Sequence, residues 1–369
     1  MYNPTHQKRV EEFLGEMLGK NDIILYEGDF SLHDTNGNGI MYYPQCFEKV
    51  LKTNAVKRLA RIFQLGTKVY THSNAYHTRL EHSKGTYYRT LELLLNLYEQ
   101  ENIRQLIKDK GLQKYMVATL MRALLHDVGH GPFSHTMETV CNLPKGFHEE
   151  IGFRLIEEDT ELRGALEEIH PELPALIKEV REKNFLGLNR IFEGQSDVDR
   201  GDFGPRDSLF DYKLFEKISI AVSQMFGDVT IESVKDKKSN DEPKIIPVFG
   251  AKQIGNLDTF FTARFNNYKE IYYDPKAISY DYVFKAFAEA LLKSKESYRL
   301  KDFLSHNMGI KSAKEVDLSE YIEFDDVEYL KGIFEVMDND KEDPTLRKLA
   351  QMLVPPKEKI EDFYYGLMV

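Results

Sequence analysis

Arg122-Ala-Leu-Leu-His-Asp-Val-Gly-His-Gly-Pro-Phe-Ser-His-Thr-Met-Glu138 places three histidines and two carboxylates around two glycines and a proline. Upstream, residues 115–125 are apolar and free of Gly and Pro, which predicts a buried helix with His126 and Asp127 at its C-terminal end. Gly129, Gly131 and Pro132 break that helix, and Ser134 is the expected N-cap of a second helix opening at His135. His135 and Glu138, three apart, share a face of it. Taken singly, each histidine reads as a core or capping residue. Together they read as a site, because five titratable groups beside an apolar helix carry a large desolvation cost unless metal or substrate charge offsets it.

Composition narrows the class of protein. The 369 residues are 42% hydrophobic and 30% charged, as in a folded globular chain long enough for one large or two modest domains. Cys46 and Cys141 alone suggest neither a disulfide framework nor a cysteine zinc site, and a reducing cytoplasmic setting is expected. The first residues lack an apolar leader, and no stretch reaches the length of a membrane span. A net charge of -11 argues against membrane association and against strong general nucleic-acid binding, both of which need a basic face. A small anionic substrate stays compatible with it, since a few local cations suffice.

Residues 6–19 have helical spacing and read as a docking or oligomer element as readily as core; self-association into a homo-oligomer is left open. Residues 34–39 read as a plain turn, lacking the acidic ligands of a calcium loop. Helices are expected at 45–51 and 55–65, the latter capped by Gly66, and a long apolar one at 80–98 carries His82 with Arg79 on the same face. Another opens at Phe147-His148, and 157–183 reads as acidic amphipathic helices punctuated by Pro171 and Pro174. Residues 196–207 read either as a solvated charge run or as the source of a further carboxylate ligand. Alternation around Ile218, Ile220, Val222, Val229 and Ile231, then 245–249, predicts a small antiparallel sheet at about 217–250. Helices at 258–273 and 279–294 precede a helix-forming remainder.

The pattern His82, His126-Asp127, Asp199 resembles that of the HD-domain phosphohydrolases. Within them it is most similar to the deoxynucleoside-triphosphate triphosphohydrolase branch, which includes the eukaryotic sterile-alpha-motif/HD protein. The likeness runs through Arg58-Leu59, Gln64-Leu65-Gly66, residues 79–83, 126–135, His148-Glu149, Asp197-Val-Asp-Arg200 and Asp207. It continues through Lys252, residues 255–257 and Arg264 to Tyr272. It implies a mainly α fold: an HD helical bundle with a small antiparallel β insertion and a C-terminal helical region. On that basis 1–40 is an N-terminal extension, 41–295 the catalytic core and 296–369 the C-terminal region.

The resemblance also implies roles. A divalent metal ion (Mg, Mn, Fe, Co, Ni or Zn) is held by His82, His126, Asp127 and Asp199. Arg79, His130, Arg200 and Arg264 face phosphates; His135, Glu138 and His148, with His130, form the catalytic group; Gln64, Leu65, Asp207 and Tyr272 line sugar and base. The implied activity is hydrolysis of a (deoxy)nucleoside triphosphate to nucleoside and triphosphate. Alternatives are an HD-type nucleotidase or phosphodiesterase acting on another phosphorylated small molecule, and a nucleotide-binding regulator with low turnover. Two departures stand out. Gly201-Asp202-Phe203 replaces a Trp-Asp-Tyr run, so a hydroxyl near the sugar is missing. Lys52, Lys57 and Ala60 replace groups that recognise an activating guanine, so hydrolysis independent of GTP is expected.

Overall fold

The computed structural model describes residues 4–21, 23–29, 40–72, 75–183, 187–192, 194–208, 211–234 and 244–354. These residues form eighteen α-helices and two two-stranded antiparallel sheets, in agreement with a mainly α fold. Among the described residues no helix is long and apolar enough to cross a membrane. The turn expected at 34–39 lies outside them.

Two compact units interleave along the chain. The first comprises residues 1–51, 81–125 and 163–265. Its centre is helix Gln113–Leu125, in which Met116, Val117, Leu120, Met121 and Leu124 are all buried; with no Gly or Pro to interrupt it, the run stays helical on every side of the core. Helices Leu173–Glu182 and Pro4–Leu18 pack on it. Val10, Phe13, Leu14 and Met17 are buried there, so the apolar face of the N-terminal helix is core. A hairpin that the sequence did not announce pairs Leu25–Asp29 with Ile40–Pro44.

The expected sheet at 217–250 needs correction in its first third. Tyr212–Phe226 is a helix, capped by Asp211, whose carboxylate accepts the N–H groups of Lys213 and Leu214. Phe215, Ile218, Ala221, Val222, Met225 and Phe226 are buried while Ile220 is 45% exposed, a period near 3.6 rather than 2. Three β-branched residues at alternate positions had imitated a strand. The strands themselves are Val229–Val234 and Lys244–Phe249, paired antiparallel from Val229 opposite Phe249 to Val234 opposite Lys244.

The second unit comprises residues 52–80, 126–162 and 266–369. Helices Pro275–Leu291, Asp326–Asp338 and Pro344–Met352 pack together, with His135–Val140 against the first of them. Phe133, Phe284 and Tyr329 form its aromatic centre, with ring centroids 4.8 to 5.7 Å apart. Acidic links act as N-caps: Asp274, Asp317, Asp325 and Asp343 each accept backbone N–H groups of the helix that follows.

The helix expected at 55–65 also needs correction. Asn54–Lys57 is α-helical and Arg58–Arg61 a 3₁₀ turn, after which Ile62 is extended and Phe63 pairs with Thr78. Gly66 therefore caps nothing: it opens the 3₁₀ helix Gly66–Tyr70 with φ +54°, and a Cβ there would lie 2.5 Å from the Phe133 carbonyl oxygen.

Candidate active site

In the first unit His82 stands fully buried near the start of helix Arg79–Tyr98. Its Nδ1 lies 2.8 Å from Asp202 Oδ2, and Asp202 is in turn bound by Arg206 through Nε and Nη2 at 2.9 and 2.7 Å. A carboxylate behind Nδ1 selects the tautomer that carries its proton there and frees the Nε2 lone pair. Nε2 faces Asp199 Oδ1 at 3.0 Å. A lone pair and a carboxylate oxygen so close need a cation between them, either a second proton on the ring or a metal ion, so the pair can serve a divalent ion. Burial pushes the Asp202 carboxyl up, but Arg206 and His82 more than reverse this and hold it below the usual carboxylate range.

The run 196–207 is thus not a solvated charge run. It forms helix Val198–Arg206, N-capped by Asp197, with Asp197, Asp202, Arg206 and Asp207 all buried. Gly85 shows how closely it packs, since a Cβ at that position would meet Asp202 Oδ1 at 1.8 Å. The sequence reading missed Asp202 and Arg206 as functional residues. The available signal was an Asp and an Arg four apart on one helix, following the carboxylate expected to be a ligand.

In the second unit Asp127 Oδ2 accepts from Arg79 Nη1 at 2.5 Å, while Oδ1 faces His130 Nε2 at 3.3 Å and His126 Nε2 at 3.5 Å. Burial pushes the Asp127 carboxyl up, and Arg79, His126 and His130 together hold it well below its ordinary value. It is an anion ready to ligate. Arg79 is itself buried and also donates to Ser134 Oγ at 2.9 Å and to the Gln64 carbonyl at 3.3 Å. Its guanidinium therefore organises Asp127 and the following loop.

Ser134 occupies the expected N-cap of helix His135–Val140 but makes no capping bond. Its hydroxyl donates to the Phe63 carbonyl at 2.6 Å and accepts from Arg79, so it is committed elsewhere. Phe133 and Ser134 have φ of 53° and 56°, left-handed backbone that costs non-glycine residues about 1–3 kcal/mol each. That turn is what presents His135. Glu138 Oε2 meets His135 Nδ1 at 2.7 Å and Oε1 meets His148 Nδ1 at 2.6 Å. His130 stacks on His148 with centroids 3.9 Å apart. Donor atoms of His130, His135, Glu138 and His148 all lie within 4.8 Å of one another. Burial raises the Glu138 carboxyl, but the bonds from His135 and His148 bring it far below the usual range; burial first, then Arg79 and His148, keep His130 neutral.

The remaining expected residues divide between the units. Arg200 pairs with Asp197 and the Gly194 carbonyl, and Arg264 donates to Gln195 Oε1 at 3.0 Å, both in the first unit with Asp207. Gln64, Leu65 and Tyr272 belong to the second. Gln64 is buried, with Oε1 lacking a hydrogen-bond partner, and Tyr272 ends a π-helical turn with its ring edge-on to Tyr268.

Residues 79–190 match the family model for the HD domain. An uncharacterized protein of Bacillus subtilis, YwfO, is 27% identical over 316 residues, covering 83% of this chain and 65% of that protein. A putative HD domain-containing protein of Acanthamoeba polyphaga mimivirus is 26% identical, covering 65% of this chain and 53% of its own length. The deoxynucleoside triphosphate triphosphohydrolase SAMHD1 of Bos taurus is 36% identical over 90 residues, 24% of this chain and 14% of that protein. In fold, the chain is similar to the crystal structure of a phosphohydrolase from Bacteroides thetaiotaomicron, with a TM-score of 0.67, 22% identity, and coverage of 89% of this chain and 76% of that one. The chain spans between 53% and 65% of the length of the mimivirus and Bacillus relatives.

Residues 79–190 thus carry an HD domain, the domain of the HD-domain phosphohydrolases that the sequence resembles. Within them its likeness to the SAMHD1 triphosphohydrolases is distant. HD domains are metal-dependent, and His and Asp groups able to hold a divalent ion are present here.

Proposed function

We propose that the protein hydrolyses (deoxy)nucleoside triphosphates at the α-phosphorus, releasing nucleoside and triphosphate. The observation that carries this reading is the His135–Glu138–His148 relay, in which one carboxylate binds two imidazoles at Nδ1. Each ring then keeps Nε2 for proton exchange with a reacting group. A binder with no turnover has no use for it.

The ligand set proposed for the ion is His82, His126, Asp127 and Asp199, following the family pattern. Bound by them, a divalent ion supplies Lewis acidity toward phosphoryl oxygens and acidifies water at neutral pH. Asp202 keeps His82 in the ligating tautomer, and Arg79 keeps Asp127 ionised and oriented. His135, exposed and backed by Glu138, protonates the leaving sugar oxygen. Arg200, Arg264 and His130 are proposed to contact phosphates, and Gln64, Leu65, Asp207 and Tyr272 the nucleoside. Phe203, lacking a hydroxyl, is expected to weaken discrimination at the sugar.

The test is product identification on a nucleotide panel with Mg, Mn, Fe and Co. Triphosphate plus nucleoside is the expected result. Inorganic phosphate released from a monophosphate assigns a nucleotidase instead, a monophosphate formed from a cyclic nucleotide assigns a phosphodiesterase, and no turnover with retained nucleotide binding assigns a regulator.

A further inference from the structure

The segment between Asp127 and His135 is held by buried groups that the mechanism above does not use. Asp326, fully buried, accepts the Phe133 N–H at Oδ1 (2.5 Å) and the Phe63 N–H at Oδ2 (2.8 Å). Arg58, 1% exposed, donates to the carbonyls of Val128 at 2.9 Å, His130 at 2.6 Å and Phe324 at 3.3 Å. Tyr321, 2% exposed, donates its hydroxyl to the Gly129 carbonyl at 3.0 Å. Three successive carbonyls and one N–H of a single loop are thus satisfied by residues from elsewhere in the same unit. A Cβ at Gly131 would lie 2.8 Å from the Tyr321 hydroxyl, so the brace and the glycine fit each other.

A buried polar group left unpaired is costly, and some such pairing is expected of any core. What distinguishes this set is its target. Apart from the bonds to Phe63 and Phe324, it converges on residues 128–133, and the anchor at Phe133 sits on the first of two consecutive residues with left-handed backbone. Strained backbone persists only where its surroundings over-determine it. Asp326 supplies that constraint two residues before His135. Burial raises its carboxyl above the ordinary range, so the two N–H groups are its main compensation.

We propose that Asp326, with Arg58 and Tyr321, is the positioning group that sets the backbone of residues 128–134 and so the placement of His135 relative to Asp127. Tyr321 and Asp326 therefore contribute to the reaction through the loop. This rests on the reading that Asp127 and His135 serve one reaction, and its first test needs no substrate.

Amide hydrogen exchange on the full chain compares the wild type with Asp326→Asn, which turns one N–H toward an N–H, and with Tyr321→Phe, which deletes one hydroxyl. Exchange at amides 128–135 is expected to rise about tenfold or more in Asp326→Asn, with a smaller rise around 129–131 in Tyr321→Phe. Exchange that is unchanged, or raised evenly through the second unit, overturns the proposal. Where the nucleotide panel shows turnover, Asp326→Asn is expected to lower kcat by roughly 10–100-fold with KM within about twofold and metal content retained. An unchanged kcat with a loosened loop refutes the positioning role. Should Asp326→Asn fail to fold, Tyr321→Phe decides alone by the same two readouts. Absent turnover on the panel with a localised exchange change would sink the proposed substrate and leave the brace standing.

Discussion

Around His82 the functional side chains stand on regular helices, and a buried Asp202–Arg206 pair fixes the imidazole from behind. Between His126 and Glu138 they stand on two helix ends joined by a loop with left-handed backbone at Phe133 and Ser134. The first region orients its groups by side-chain contacts four residues apart or between two helices. The second orients them by backbone, and holds that backbone with residues close to 200 positions away in sequence. The first should therefore fail in proportion to the contact removed, and the second should fail abruptly when a charge or anchor in the loop is lost.

Asp127→Ala strikes the loop region hardest. It removes an anion from between Arg79 and two imidazoles, leaving a buried cation unpaired and the proposed ion without a ligand. Metal and activity are expected to disappear together, as read by metal analysis of the purified variant. A folded Asp127→Ala protein with stoichiometric metal would refute the ligand assignment.

His135→Ala comes next. The side chain is 65% exposed, bonds to Glu138 and meets the rings of His130 and His148 edge-on, so its removal disturbs the fold little. Turnover should fall by about two to four orders of magnitude, the scale of general acid–base catalysis, with metal content unchanged. Loss of metal in this variant would make His135 a ligand, an outcome that the convergence of four donor atoms at His130, His135, Glu138 and His148 makes worth measuring.

Much of this was readable from the sequence because it depends on local spacing. The helix ending at Leu125, the break at the glycines and the shared face of His135 and Glu138 follow from neighbours along the chain. The error at 212–226 arose where β-branched residues alternate by chance on a helix, and only burial of Phe215 and Met225 in register with Ile218 and Val222 decides the period. The break at Ile62 was hidden because Phe63 is drawn into a bridge with Thr78, a partner no local pattern names. Asp202 and Asp326 were overlooked for the same reason. A carboxylate's role depends on the group it meets; Asp326 meets the Phe133 N–H and Asp202 meets His82 more than a hundred positions away, and only the Asp202–Arg206 contact is local.

Asp202→Asn acts on the helical region around His82. The amide can still accept or donate at His82 Nδ1 but no longer enforces one tautomer, and Arg206 loses its counter-charge. Metal affinity is expected to weaken by about 10–100-fold while the protein still binds metal at saturation. A competition titration with a chelator measures this. Unchanged affinity would mean that Asp202 serves packing against Gly85 and not the imidazole.

The smallest effect concerns Glu138 and is read in stability, not rate. Its carboxyl is held far below the ordinary value, against burial, by the bonds from His135 and His148. In the window between that depressed value and the unfolded value of about 4.3, the unfolded chain binds more protons than the folded one. The stabilisation is therefore complete above about pH 4.3 and is lost as the pH falls through the folded value. Glu138→Gln lacks this titration. Thermal unfolding of the two proteins should show a gap in Tm that is widest near pH 5 and narrows toward about pH 3, because only the wild type is giving up a charged contact. A gap that stays constant across that range would mean that Glu138 binds its two histidines as a neutral acid, and the relay would then lack the anion needed to stabilise a protonated imidazole during transfer to the sugar oxygen.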